Sequence, residues 1–518
     1  MKVDSGNTEW GYEYFAAIPY AYWLHTQGEL DGTRSGTGSE PFYFFSPDHE
    51  INPEPRSFYH TAEAAKLIPN MWLHKPKHDW SKWKMPPYKE HYGKRAIVFD
   101  KPTVVIYNRY NLEWDRPPIN FFSLPVLRGL FKMLLPEYEV VYFNVRGQEV
   151  LEDNAHSMEL GDYDMIRSEF PQVRIIHDLI QEHGEDYNTV QLRVFAGCQK
   201  FITMNGAPCM MASSFGGENI IYSKECKELW PSVNSFHNWY WRFGNSHIRV
   251  VNTHADLIAM VRSAWVDKEP LINILVRCHQ RPKGLDRLRD SIVSQGYRNF
   301  RIIASYDDEP TWRYVLKYPF TKIECRPEPM PPRPKDSEAY KHYLSPNSYF
   351  NELYKLVQGG YVMFMDDDDI IEPGALHRIA AEAKEDELLL WRVAERTGRL
   401  IPSDENMGSI VAGDISGIGI CFHSKHIPLA QWEPWRRGDY RIIKSLASAL
   451  DCKWLSDVLT RMGSREDGKT FDVKAAAADM KTFENEVNAH VKQVIADRKA
   501  GRKEHKPFTS RLRSSYRK

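Results

Sequence analysis

Nowhere in the 518 residues do 18 apolar positions run together, so the sequence offers no membrane-spanning helix. The opening residues, MKVDSGNTEWGYEYF, lack the basic-then-apolar plan of a signal peptide. Cysteine is sparse: Cys198, Cys209, Cys226, Cys278, Cys325, Cys421 and Cys452 are scattered and form no CxxC pair. That argues against a disulfide framework and a cysteine zinc site, and favours a reducing compartment. The expected location is cytoplasmic, at most peripheral at a membrane. An excess of one charge is also missing, since 68 Lys plus Arg face 69 Asp plus Glu for a net −1. No general case for a polyanion-binding protein follows, and any basic patch must be local.

What is present is an ordinary soluble balance, 42% hydrophobic and 26% charged, which excludes wholesale disorder. The length allows roughly two to four domains at about 150 residues each. Aromatic residues are abundant, with 15 Trp and 27 Tyr. Such an excess builds core, and it also builds the platforms on which sugars and bases stack.

Four stretches differ in pattern. Residues 1–100 are rich in Trp, Tyr, Pro and His; Ala16 to Leu24 reads as a helix start and Phe42 to Phe45 as a short strand. His74 to Tyr92 reads as a connecting segment, because its prolines and charges leave no period. Residues 101–268 alternate strand and helix. TVVIYN (Thr103 to Asn108), EVVYFN (Glu139 to Asn144), VRIIHD (Val173 to Asp178), KFITMNG (Lys200 to Gly206) and NIIYS (Asn219 to Ser223) are the strands. Apolar runs about 30 residues apart with helices between them predict a parallel sheet covered on both faces. Residues 269–463 repeat the alternation with INILVRC, FRIIASYDD, TKIEC and YVMFM, but they are not a copy of the first unit. The fold class expected is therefore α/β, in two units. Residues 464–518 read as an amphipathic helix followed by a basic tail. From Lys492 to Lys518 ten Lys or Arg face only Asp497 and Glu504, a net of +8. A tail of that charge suits anionic lipid headgroups, and nucleic acid less well because few aromatics are interspersed. The helix stripe suits packing on the catalytic unit or a homodimer seam.

The strongest chemical signal is Asp366 to Asp369, four consecutive aspartates after five apolar residues. A strand buried on both faces carries such charges only at its carboxyl end, where open α/β sheets bind ligands. Alternate residues share a side, so Asp366 and Asp368 are expected to converge on one divalent cation, Mn2+ or Mg2+. Such an ion would stabilise a diphosphate leaving group. A solvated acidic turn is the plain alternative. His423, after another apolar run, is either a further metal or diphosphate contact or a structural histidine.

At these residues the second unit resembles family 2 glycosyltransferases of the GT-A fold. ILVRCHQRPKGLDRLRDSIVSQGYRNFRIIASYDD is similar to the family's opening strand, helix and second strand. PNSYFNELYKLVQGGYVMFMDDDD is similar to its helix and Asp-x-Asp strand. GDISGIGICFHSKHI with WEPWRRGDYRIIKSL is similar to its acceptor-side strand and base-bearing helix. The resemblance spans Leu271 to Met462. It implies that Asp307 or Asp308 contacts the donor base or ribose, and that Asp366 and Asp368 contact ribose, diphosphate and metal. It also implies that Asp439 is the general base of an inverting displacement. The family carries an acid just before that base, where this chain has Gly438, and Asp414 is a competing base. Arg436 and Arg437 beside it are either phosphate contacts, since guanidinium suits bidentate phosphate binding, or a surface pair.

The first unit looks like the nucleotide-sugar-binding half of GT-B glycosyltransferases. The carrying segment is RVFAGCQKFITMNGAPCMMASSFGGENIIYSKE, in which Asn205 and Gly206 would cradle a diphosphate through backbone amides. Arg146 follows the second strand and suits the same role. The combined expectation is a metal-dependent, inverting glycosyltransferase that uses a nucleotide-diphosphate sugar and a glycan or lipid-linked acceptor, with the first unit either a binding or scaffold domain or a second transferase site. Two alternatives stand beside it. One is a single-site enzyme whose first unit binds acceptor; the other is a non-catalytic glycan- or nucleotide-binding protein.

Overall fold

The computed structural model describes residues 1–56, 67–71, 79–113, 117–144, 155–224, 243–244, 246–315, 318, 321–324, 345–432 and 437–463. The expected C-terminal helix and basic tail, Arg146 and Arg436 lie outside them.

Three short parallel strands open the chain, β1 (Lys2–Asp4), β2 (Gly32–Gly36) and β3 (His49–Asn52). Between β1 and β2 a π-turn, Glu13–Ala17, runs into the helix Ile18–Gln27. Glu13 in that turn is fully buried against the equally buried Arg56. The expected strand at Phe42 is instead a short 3-10 helix, Glu40–Tyr43, with Pro41 in its first turn; a proline there pre-sets the helical φ. Its rings close an aromatic core in which Phe42 meets Trp10 edge-on at 4.7 Å and Tyr88 at 5.9 Å.

The next unit follows the expected alternation. Its strands are β4 (Thr103–Asn108), β6 (Glu139–Asn144), β8 (Arg174–Ile175), β9 (Lys200–Met204), β10 (Glu218–Tyr222) and β11 (His247–Val251). A small antiparallel pair, β5 (Asn111–Glu113) with β7 (Ala155–Ser157), stands apart. The main sheet is parallel throughout, in the order β11-β10-β9-β4-β6-β8. Counted along the chain, that order is the 3-2-1-4-5-6 of doubly wound sheets, with its switch point between β4 and β9. Alternate residues serve opposite faces: Val105, Tyr107 and Phe201 join the aromatic core of the first hundred residues, while Val104, Ile106 and Ile202 pack under the outer helices. The expected strand at Val173 shortens to two residues. The chain after it turns helical, Ile176–His183, burying Ile176 and Leu179 and ending at a left-handed Gly184.

The second sheet is mixed. Its strands are β12 (Ile272–Arg277), β13 (Phe300–Tyr306), β14 (Thr321–Glu324), β15 (Tyr361–Asp366), β16 (Ile370–Ile371), β17 (Glu387–Ala394), β18 (Leu400–Ile401), β19 (Ile420–His423) and β20 (Asp451–Arg461). They lie in the order β14-β13-β12-β15-β19-β17-β20-β16, with β18 on the side of β17. From β14 to β15 the pairing is parallel, whereas β19 runs antiparallel to β15 and to β17. The parallel part has its own switch point between β12 and β15. The helix Pro282–Val293 covers one face through Leu285, Leu288 and Ile292. The helix Tyr349–Tyr354 covers the other through Phe350 and Leu353. Among the described residues no helix is long and apolar enough to cross a membrane.

Candidate functional site

The register that sets Arg277 opposite Asp366 brings three strand ends to one edge. His279, Gln280 and Arg281 leave β12 there, Asp307 and Asp308 leave β13, and Asp367 to Asp369 leave β15. The aspartate run is therefore at the carboxyl end of a buried parallel strand, beside a switch point. Its four members have four different surroundings.

Asp366 is held by a guanidinium fork. Arg277 Nε donates to Oδ1 at 2.8 Å and Nη2 donates to Oδ2 at 3.0 Å. Arg277 is itself placed by Asn347, whose Oδ1 accepts from Nη1 at 2.8 Å, and by the Phe350 ring 4.8 Å away. Asp367 is wholly buried; Oδ2 accepts from the His279 N–H at 2.8 Å, and Arg281 Nε lies 3.1 Å from Oδ1. Burial drives its pKa up to about 7, against the opposing pull of Arg281. Asp368, only 2% exposed, lies between Arg281 and Arg396, whose Nη2 is 3.0 Å from Oδ2. Asp369 accepts from the Asp366 N–H at 2.8 Å and the Gly463 N–H at 3.2 Å. Burial first, and the Asp366 charge second, hold its carboxyl well above the usual range. Gly463 has no room for a side chain, since a Cβ would come within 1.6 Å of the Asp368 carbonyl oxygen.

Three guanidinium groups thus already neutralise the run. The expected cation set of Asp366, Asp368 and His423 does not fit this arrangement. Asp366 is engaged by both oxygens, and Asp368 is sealed behind two arginines. His423 pairs in register with Tyr361, at the opposite end of β15 from Asp366. Five residues at about 3.3 Å each put it roughly 16 Å away along the strand. The antiparallel direction of β19 is the cause.

At the end of β13, Asp307 Oδ1 is 3.0 Å from His279 Nδ1, and Oδ2 accepts from the Tyr349 hydroxyl at 3.2 Å. Asp308 caps the helix Glu309–Val315 by accepting from the Thr311 N–H at 2.8 Å, and it also takes the Gln280 amide. Burial works against its charge, but the Thr311 and Gln280 hydrogen bonds outweigh it and leave its pKa below the ordinary value. The ligand atoms of His279, Asp307 and Asp308 all lie within 4.8 Å of one another. Sequence reading passed over His279, although a histidine two residues after a strand end was visible in it.

Of the two candidate bases, Asp439 stands in the first turn of the helix Gly438–Ala447. Its Oδ2 accepts from the Gly417 N–H at 3.2 Å, and its other oxygen has no hydrogen-bond partner among the described residues. Gly438 before it is closely packed: a Cβ there would lie 2.8 Å from Asn347 Nδ2 and 3.1 Å from the Trp432 ring. Asn347, which accepts from Arg277, therefore packs against the first residue of this helix. Arg437, at the helix entry, is exposed and has φ 61°. Asp414 is differently employed. It accepts from Arg399 at 3.1 Å, the Ser403 N–H at 2.9 Å, the Ser403 hydroxyl at 2.7 Å and Asn406 at 2.7 Å. Burial raises its pKa less than these donors lower it, so the carboxyl stays below its usual range. It ties down the loop after β18, with three of these donors on Oδ2 and Arg399 on Oδ1.

In the first unit, Asn205 and Gly206 lie at the end of β9, beside the switch point. The Asn205 N–H donates to the Tyr222 carbonyl at 2.9 Å, and Gly206, at φ 129°, starts the helix Ala207–Ser213. Polar groups at two neighbouring strand ends are turned inward: the Asn108 amide holds Phe122 and Tyr142, and Asn144 holds Asp162. Ser214, which caps the helix Ala207–Ser213 at its C-terminus, accepts from the Tyr14 hydroxyl.

No protein-family model and no curated protein matches this chain. Among solved structures it is similar to S. aureus TarS, at 18% identity and a TM-score of 0.29 over 38% of each chain. It is likewise similar to a TarS 1-349 fragment, at 20% identity and TM-score 0.29 over 38% of this chain and 62% of that one. A third is TarS 1-349 in complex with UDP-GlcNAc, at 18% identity and TM-score 0.29 over 39% and 61%. The chain spans less than two thirds of each of these structures, and a likeness this slight transfers neither fold nor activity.

Proposed function

We propose that the chain is a glycosyltransferase whose active site is the carboxyl edge of β12, β13 and β15. The observation that carries this reading is that Asn347, whose Oδ1 accepts from Arg277 beside Asp366, packs against Gly438, the residue before Asp439, a carboxylate with one hydrogen bond among the described residues. In this reading a nucleotide-diphosphate sugar lies along the switch point, bordered by Asp307, Asp308 and Asp366. Arg437, exposed at the helix entry, supplies charge for the diphosphate. Asp439 takes the proton of the acceptor hydroxyl as its oxygen bonds to the anomeric carbon, and the bond to the nucleoside diphosphate breaks on the opposite face. That sequence inverts the configuration and needs the carboxylate within hydrogen-bond reach of the hydroxyl. The acceptor class is a glycan or a lipid-linked glycan. The first unit has a doubly wound sheet, and among the described residues its strand-end Asn108 and Asn144 are hydrogen-bonded internally, which supports a binding or scaffolding role over a second transferase site.

The test is release of nucleoside diphosphate from a panel of nucleotide sugars, with and without glycan acceptors. Turnover of one donor by the intact chain, lost in Asp439→Asn while donor binding persists, is the expected result. Donor turnover undiminished in Asp439→Asn would remove the base assignment, and absence of both binding and turnover across the panel would remove the transferase reading.

A further inference from the structure

We propose that His279, Asp307 and Asp308 form a binding site for a divalent transition-metal cation, separate from the arginine-neutralised aspartate run. Three observations carry it.

The first is geometric. One imidazole nitrogen and two carboxylate oxygens, from the ends of two adjacent parallel strands, converge within 4.8 Å of one another. Ligands at about 2.1–2.4 Å from an ion stand up to roughly 4.8 Å apart when they are opposed across it. The present 3.0 Å contact between His279 Nδ1 and Asp307 Oδ1 is one that an inserted ion would replace.

The second is charge balance. Each member of the run from Asp366 to Asp368 faces a guanidinium group. Among the described residues no lysine or arginine pairs with Asp307 or Asp308, and the one ion pair at the two is that of Asp307 with His279. Two adjacent carboxylates without a fixed counter-charge repel each other, and a divalent ion relieves that repulsion. A cation at Asp366 or Asp368 would instead have to displace arginines from bidentate or buried contacts.

The third is support from behind. Tyr349 donates to the Asp307 oxygen that does not face His279, while Gln280 and Thr311 hold Asp308. Partners of this kind fix first ligands in orientation. His279 has a side chain 58% exposed, so an ion has an open approach and solvent or a ligand oxygen can complete its shell. The mixed nitrogen and oxygen donor set favours Mn2+ or a neighbouring transition ion over Mg2+. Under the transferase reading this assigns Asp307 and Asp308 to the cation, in place of the expected contact with the donor base or ribose.

The experiment is a titration of the full chain with Mn2+ alone, followed by electron paramagnetic resonance, with no nucleotide sugar present. The expected result is saturable binding with one directly coordinated nitrogen. Both are lost or weakened ~10-fold or more in His279→Ala and Asp307→Asn, and kept within about twofold in Asp366→Asn and Asp368→Asn. His279 is exposed, so its removal spares the core and the variant remains informative even where Asp368→Asn is destabilised. Absence of saturable binding, or binding without nitrogen coordination that disappears in Asp366→Asn or Asp368→Asn, would overturn the proposal. Glycosyl transfer is not read, so failure of the transferase reading leaves this outcome standing on its own.

Discussion

Adjacent carboxylates in this chain behave as different chemical groups because burial and partners differ from one residue to the next. Asp367 keeps its proton to about pH 7 in the folded state, whereas an unfolded aspartate loses it near pH 3.9. Between those values folding binds a proton, so raising the pH disfavours the folded state. The thermal midpoint of the native protein should therefore fall relative to that of Asp367→Asn as pH rises from about 4 to about 7. Parallel curves for the two proteins would contradict this. Asp368 belongs to another class. Its removal takes one partner from Arg281, which keeps Asp367, and the carboxylate partner from Arg396, and Asp368→Ala should cost about 1–3 kcal/mol of stability in a denaturant titration. A change within experimental error would mean that the pairs are solvent-screened. Asp439→Asn should leave the denaturation midpoint nearly unmoved, because among the described residues that side chain accepts a single long hydrogen bond.

At the scale of elements, the helix Gly438–Ala447 reaches the site only because its first residue has no side chain. Gly438→Ala should lower stability by about 1–3 kcal/mol through forced displacement of Asn347 or Trp432, and Gly438→Glu by more. An unchanged melting temperature in Gly438→Ala would show that the approach is loose. Strands β4, β6, β9, β10, β12, β13 and β15 were legible in the sequence, since apolar β-branched runs of five to seven residues have few other homes. The acidic run was legible for the same reason, being the first place such a strand can carry charge. Its partners were not. Arg277 lies 89 positions from Asp366 and Arg396 lies 28 from Asp368, and only the sheet register brings them together. His423 was misplaced because an apolar strand carries no mark of its direction. The strand expected at Phe42 failed where Pro41 and ring packing outweighed local propensity, and Asp414 looked available until its four donors were in view.

Across the whole molecule, two sheets of different topology each present a switch point, β4 beside β9 and β12 beside β15. The first hundred residues share one core with the first sheet, and at its heart lies the buried pair Glu13 and Arg56. Burial raises the Glu13 pKa against the pull of Arg56, so each partner depends on the other. Arg56→Met alone should cost about 3–5 kcal/mol, and pairing it with Glu13→Leu should recover most of that loss. Equal stability of the single and double variants would contradict a coupled pair. The two switch points also define the question on which the account turns, namely which of them receives the nucleotide. Hydrogen exchange of the full chain, with and without a panel of nucleoside diphosphates, answers it directly. Protection is expected at residues 277–281, 307–311 and 366–369, with residues 205–210 unchanged. Protection confined to residues 205–210 would place the nucleotide in the first unit and contradict the site proposed here.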